Sequence, residues 1–268
     1  EEMKLALWDS RSQIREEALR DLIVFMGQET QNPDSHVDYI EKLGLKIQRT
    51  GILKDLAFSY LGAGHKPSAV KILDVVLSHE PSLDLELKYL EELYGVGPWD
   101  KFKESLVKFS EHSHDQKLKS EMKSVLESEK IALRLAIQLD GDRTTRPERT
   151  PQFQSLAFSI LNLFPESKER LRLAEGWVAS EASIDLKLKQ ISIWLSDEHF
   201  KFTAIEQAQL LELRISIAQK EKRPDEMITD IQKWLALVPS TPSLKKRERE
   251  YAYSRAYALY QNKDFAQA

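Results

Sequence analysis

No cysteine occurs among the 268 residues, which excludes a disulfide framework, a thiolate zinc site and cysteine nucleophiles together. The compartment stays open on that ground, because a chain without cysteine suits either redox environment. Glycine and proline are scarce, with 9 and 10 residues. A β-sandwich or barrel needs a turn residue every ~8–12 positions, and a nucleotide-binding α/β domain needs glycine-rich turns between strand and helix. Neither supply exists here. No apolar run approaches the ~18 residues of a membrane span, and no signal-peptide pattern opens the chain. An excess of one charge is missing too. The 39 Lys and Arg against 43 Asp and Glu leave a net −4, and neither half carries the positive field that nucleic-acid binding requires. The first residues, Glu1-Glu2-Met3, contain no initiator at their head, so the chain reads as a section trimmed from a longer protein.

What the chain does have is helical period. Residues 14–25 place Ile14, Ala18, Leu19, Leu22 and Phe25 at three- and four-residue spacings with charges between them, the stripe of an amphipathic helix. Similar stripes run through 53–61, 69–77, 102–109, 118–139, 153–164, 168–178, 186–195, 204–219, 226–237 and 248–260. No segment alternates with period two, so the fold class is all-α. The prolines punctuate these helices. Pro67, Pro98 and Pro224 sit at or just before a helix's first turn, where a missing N–H costs nothing. Pro81, Pro165 and Pro239 lie just beyond helix ends, where the ring prevents continuation. Two recurring places for six prolines indicate an internal repeat.

Residues 53–81 carry that repeat most clearly, through Leu53, Leu56, Ala57, Tyr60, Gly64, Ala69, Leu73, Val76 and Pro81. This order resembles the tetratricopeptide repeat: a leucine, a small residue where two helices cross, a tyrosine, a turn glycine, a small residue opening the second helix and a closing proline. A looser unit follows with Leu90, Leu93, Gly97, Trp99, Phe102, Leu106 and Phe109, and its Phe102 lies 33 residues after Ala69, close to the family period of about 34. Residues 211–239 match again through Leu211, Ala218, Met227, Ile231, Trp234 and Pro239, with Lys222 in place of the turn glycine. A last unit shows Ala252, Ala256, Leu259, Asp264, Phe265 and Ala268, and the chain stops where the second helix begins. The resemblance implies a right-handed α-solenoid of stacked antiparallel helix pairs, one array over 1–268, with an irregular middle over 118–200. There an extended connection, Asp140 to Thr150, joins two helices. Near the N-terminus, Asn32 to Gly51 reads as a short extra helix and loop.

The first hundred residues carry a narrower likeness. The run Arg15-Glu16-Glu17-Ala18-Leu19-Arg20-Asp21-Leu22-Ile23-Val24-Phe25 precedes Tyr39-Ile40-Glu41-Lys42-Leu43-Gly44, and then the repeat helix beginning at Leu53. That order resembles tetratricopeptide proteins exported to the cell envelope of gliding and predatory bacteria. The likeness implies an adaptor role in motility or surface machinery, with a periplasmic or envelope location ahead of a cytoplasmic one.

Candidate chemistry is thin. Of the 6 histidines only His112 and His114 are close, and their spacing sets them about 200° apart on a helix. With Asp115 the only further ligand at hand, they read as a solvated loop and not as a metal site, since zinc takes three or four protein ligands. Gly62-Ala63-Gly64 and Gly95-Val96-Gly97 follow no strand, so they read as inter-helix turns with glycine at positive φ, not as phosphate loops. No nucleophile elbow occurs, and pairs such as Glu91-Glu92 read as exposed helix faces. No cofactor motif is present. Arg143, Arg146 and Arg149, with Thr144, Thr145 and Pro147, suit a partner carboxylate or phosphate by forked hydrogen bonds. The same composition suits a solvated connection. Lys245-Lys246-Arg247, followed by Glu248-Arg249-Glu250, reads as the charged start of a helix.

Trp99, Phe109, Trp177 and Trp234 fall at packing positions of the repeat. A different face of each first helix lines the concave groove in the family, and the alignment puts Lys54, Phe58, Glu91, Tyr94, Glu212, Gln219, Tyr253, Tyr257 and Tyr260 there. Tyr253, Tyr257 and Tyr260 share one helix face by their four- and three-residue spacing, either as groove anchors or as surface packed against sequence beyond Ala268. The expected function is a non-enzymatic scaffold or adaptor that binds a partner peptide or helix in the groove. The alternative is a helper region of a larger enzyme or secretion assembly whose catalytic domain lies outside this sequence.

Overall fold

The computed structural model describes residues 12–28, 33–42, 49–238 and 245–261. Among them stand fourteen α-helices and no strand. The helices are α1 (Ser12–Gln28), α2 (Pro33–Lys42), α3 (Arg49–Gly62), α4 (Lys66–His79), α5 (Leu83–Val96), α6 (Trp99–His112) and α7 (Gln116–Ser120). They continue with α8 (Val125–Arg143), α9 (Thr150–Leu163), α10 (Arg170–Ser180), α11 (Ile184–Ser196), α12 (Ala204–Lys220), α13 (Pro224–Leu237) and α14 (Lys245–Gln261). Pro239, Asp264, Phe265 and Ala268 lie outside the described residues. The chain divides into two compact units, Glu1–Leu135 and Ala136–Ala268, with the boundary inside α8.

In the first unit α3 packs on α4, α4 on α5 and α5 on α6, while α1 lies against α3 and α2 touches both α3 and α4. The stripe Leu53, Leu56, Ala57 and Tyr60 of α3 meets Ala69, Leu73 and Val76 of α4, all without solvent exposure. Burying each large side chain contributes about 1.5–3 kcal/mol. Buried His36 of α2 reaches the Tyr60 hydroxyl at 2.5 Å through Nδ1.

In the second unit α12 packs on α13, α13 on α14, α9 on α10, α11 on α12 and α10 on α12. Trp177 and Trp194 bring α10 and α11 together edge to face, 5.6 Å between centroids. The Thr203 side chain caps α12, accepting from the Glu206 N–H while Glu206 accepts from the Thr203 N–H at 2.7 Å, a reciprocal capping box.

The pairs α3–α4 and α12–α13 share one turn. Gly64 N–H donates to Leu61 O at 3.0 Å and His65 N–H to Tyr60 O at 2.8 Å; Lys222 N–H donates to Gln219 O at 3.3 Å and Arg223 N–H to Ala218 O at 2.8 Å. This is the Schellman pattern, which places its C′ residue in the left-handed region. Gly64 has φ +82° and Lys222 φ +56°. Lys222 therefore does occupy the turn-glycine position, without being a glycine.

Three expectations are corrected. Gly97 has φ −94°, so no left-handed conformation calls for glycine there. A Cβ would instead lie 2.9 Å from the Leu93 carbonyl oxygen, and close approach is the reason. The stripe over 118–139 is two helices, because the Asp84 carboxylate at the start of α5 accepts from Lys123 N–H at 2.8 Å and from the Ser128 hydroxyl. That fixes a new helix start from a distant part of the chain. The connection Asp140 to Thr150 is not extended either. α8 continues to Arg143, a 3₁₀ turn spans Pro147–Arg149, and Arg146 N–H donates to Asp142 O at 2.8 Å between them.

Candidate functional site

A concave surface of the second unit lies where the end of α12, the start of α13 and the far half of α14 converge. The Schellman turn sends α13 back against α12, and α14 packs on α13. Gln219, Lys222, Arg223, Pro224, Met227, Tyr253, Tyr257 and Gln261 line a cavity of about 860 Å³. Tyr253 and Tyr257 stack with centroids 6.4 Å apart and an interplanar angle of 13°. They remain 72% and 55% exposed, while the Tyr257 hydroxyl accepts from Gln261 Nε2 at 2.9 Å.

α14 is held in place from beneath. Its Arg247 donates to both carboxylate oxygens of Glu212 at 2.8 Å, and Glu212 Oε1 also accepts from Trp234 Nε1 at 3.1 Å. Tyr251 meets buried Trp234 edge to face at 5.0 Å. Burial and the nearby Glu212 carboxylate push the Tyr251 phenol above its ordinary pKa. Beside this anchorage, Asp230 of α13 is fully buried, with Arg214 Nε 3.1 Å from Oδ2. Burial raises its pKa to about 6 against the opposing pull of Arg214.

In comparisons with known proteins, no family model and no curated protein matches the chain.

The expected groove residues fall into separate groups. Gln219, Tyr253 and Tyr257 come together in the cavity just described, and Tyr260 stands 60% exposed on the same helix. Glu212 is occupied in securing Trp234 and Arg247. In the first unit, Lys54 lines a different cavity of about 610 Å³ with Thr50, Glu80, Asp84, Glu121 and Met122. Phe58 is 40% exposed on α3. Glu91 pairs with Lys88 at 2.8 Å and Arg134 at 2.7 Å. Tyr94 packs edge-on against Trp99 and Phe102, at 6.3 and 5.3 Å, so it serves the α5–α6 contact.

The arginine segment is turned to internal use in two of its three members. Arg143 pairs with Asp140 at 2.6 Å and lies 5.0 Å over the Phe153 ring, while Arg149 pairs with Asp142. Arg146 is exposed. His112 is not the loop residue that its sequence neighbourhood suggests. It ends α6, and its Nδ1 lies 2.6 Å from Oε1 of buried Glu86. Glu86 escaped notice because it interrupts a run of leucines and looks like any charge on an amphipathic helix. Among the described residues, no three His, Asp or Glu side chains group as a metal site, and no helix is long and apolar enough to cross a membrane.

Proposed function

We propose that this chain is a non-enzymatic interaction module built from tetratricopeptide-like helix pairs, an adaptor that holds a peptide or helix of a partner protein. The observation that supports the reading is the stacked Tyr253–Tyr257 pair over the α12–α13–α14 cavity. Two large, rigid, amphipathic rings left open to solvent beside a concavity offer binding area at low entropic cost. Gln219 and Gln261 add hydrogen-bonding groups able to meet a peptide backbone, and the Lys222 side chain adds a positive rim. The matching turns of α3–α4 and α12–α13, with prolines closing the first helix pair and following the second, support the repeat reading. The placement in a bacterial envelope is part of the same proposal and rests on the order of helices in the first hundred residues.

The test is selection from a random displayed-peptide library on the immobilised protein, followed by affinity measurement on a Tyr253→Ala/Tyr257→Ala variant. Selected peptides should bind the variant roughly tenfold or more weakly, as loss of aromatic anchors does elsewhere. Equal affinity for the folded double variant would refute the groove assignment.

A further inference from the structure

The walls of the tyrosine cavity narrow what it can hold. Its lining includes two cationic side chains, Lys222 and Arg223, and no carboxylate. Arg223 is spent internally, on Asp185 at 2.7 Å and Glu226 at 3.5 Å. Lys222 is exposed, and its ammonium has no partner among the described residues. The Tyr257 hydroxyl oxygen accepts from Gln261 Nε2 at 2.9 Å, which leaves its own O–H to give. The exposed Tyr253 hydroxyl adds another donor. The cavity therefore offers spare donors and no charged acceptor. Its complement is a chain rich in acceptors, poor in donors and free of positive charge.

Peptide conformations differ in how well they meet that description. An α-helix spends its carbonyls on its own N–H groups. An extended strand brings an N–H for every carbonyl and docks on a sheet edge, and the described residues contain no strand. A polyproline II segment has no internal hydrogen bonds, so its carbonyls are free, and its prolines carry no N–H. Its pyrrolidine rings dock on aromatic side chains, and its preformed shape lowers the cost of ordering. The spacing agrees as well. The Tyr253 and Tyr257 rings lie 6.4 Å apart and within 13° of parallel, while alternate residues of polyproline II are about 6.2 Å apart along its axis. From Tyr253 to Gln261 the helix advances about 12 Å, the length of about four polyproline II residues.

We propose, resting on the peptide-groove reading above, that the α12–α13–α14 cavity holds a proline-rich segment of a partner protein in the polyproline II conformation. The segment runs along α14 with alternate proline rings on Tyr253 and Tyr257. Its carbonyls accept from the Lys222 ammonium and the tyrosine hydroxyls.

Calorimetric titration of the whole chain with octaproline capped at both ends tests the assignment. A capped alanine-rich helix-forming peptide and a capped glycine–serine peptide of the same length are the controls. Octaproline should bind saturably and roughly tenfold or more tightly than either control, through its donor-poor, preformed backbone. Tyr253→Ala/Tyr257→Ala should weaken it roughly tenfold or more, and Tyr253→Phe/Tyr257→Phe, which keeps the rings, should weaken it less. Lys222→Gly removes the ammonium and suits the left-handed backbone there, so it should weaken binding without unfolding the chain. Helical circular dichroism establishes that each variant is folded. The displayed-peptide selection then separates the two readings. Enrichment of proline-rich sequences supports the assignment. Enrichment of tyrosine-dependent binders without proline overturns it and leaves the groove standing, whereas the lack of any tyrosine-dependent binder overturns both. The assignment also falls if octaproline does not saturate at millimolar concentration, if a control binds as well, or if the folded double-alanine variant binds like the parent.

Discussion

The twin turns at Gly64 and Lys222 allow a reciprocal experiment on stability. Both residues are held in the left-handed region by the same pair of backbone hydrogen bonds, and only one of them suits it. A residue with a Cβ in this conformation costs about 1–2 kcal/mol. Replacing glycine also restricts the unfolded chain, which returns about 0.4–1 kcal/mol. No atom lies within 4 Å of a Cβ added at Gly64, so no steric contact complicates the difference. Gly64→Ala should therefore destabilise the first unit by about 0.5–1 kcal/mol. Lys222→Gly should stabilise the second by a similar amount, since Lys222 is exposed. Urea unfolding followed by circular dichroism, fitted with one transition for each unit, measures both changes. In thermal melts each kcal/mol corresponds to a few degrees. A destabilised Lys222→Gly protein, or an unaffected Gly64→Ala protein, would refute the claim that the two turns are conformationally equivalent.

Three further outcomes are expected. Because Asp230 has its pKa raised from 3.8 to about 6 by burial, the stability it contributes is fully present below about pH 3.8 and lost as pH rises through about 6. The parent should therefore lose stability relative to Asp230→Asn across that window, and parallel pH curves would contradict it. Thr203→Ala removes the side-chain half of the α12 capping box and should cost about 1 kcal/mol, read by the same urea titration; a change below a few tenths would mean the cap carries little. Tyr253→Ala and Tyr257→Ala should each leave unfolding within about 0.5 kcal/mol of the parent, because both rings are mostly exposed. A larger loss would reveal a packing role.

The helices themselves were legible because their signals are local. The stripe Leu53, Leu56, Ala57 and Tyr60 predicts a buried face, and the structure buries it completely. The turn at Lys222 follows from its spacing alone, although its residue type argues against it. What escaped depends on groups brought from far along the chain. The break between α7 and α8 is set by Asp84, which stands far back along the chain at the start of α5. Tyr94 and Glu212 do lie on their expected helices, but spacing along one helix gives no account of which neighbour covers that face. Trp99 and Phe102 cover the first, and Trp234 with Arg247 occupy the second. The arginines between Asp140 and Thr150 read as available because that segment reads as an extended connection, whereas α8 runs on to Arg143 and pairs it with Asp140, and the turn that follows brings Arg149 to Asp142. Glu86 was invisible for a related reason: its burial comes from α4 and α6, not from α5.

The anchorage of α14 also gives the second unit an optical gauge. Trp234 is 2% exposed, donates its indole N–H to Glu212, and has Tyr251 of α14 against its ring. Any departure of α14 removes the tyrosine, admits water to the indole and frees the carboxylate that holds it. Indole emission moves to longer wavelength when water replaces apolar neighbours, so the seating of α14 is written into the intrinsic fluorescence. A difference spectrum against Trp234→Phe would isolate that signal from the other tryptophans, and no attached label is needed to follow the helix in time.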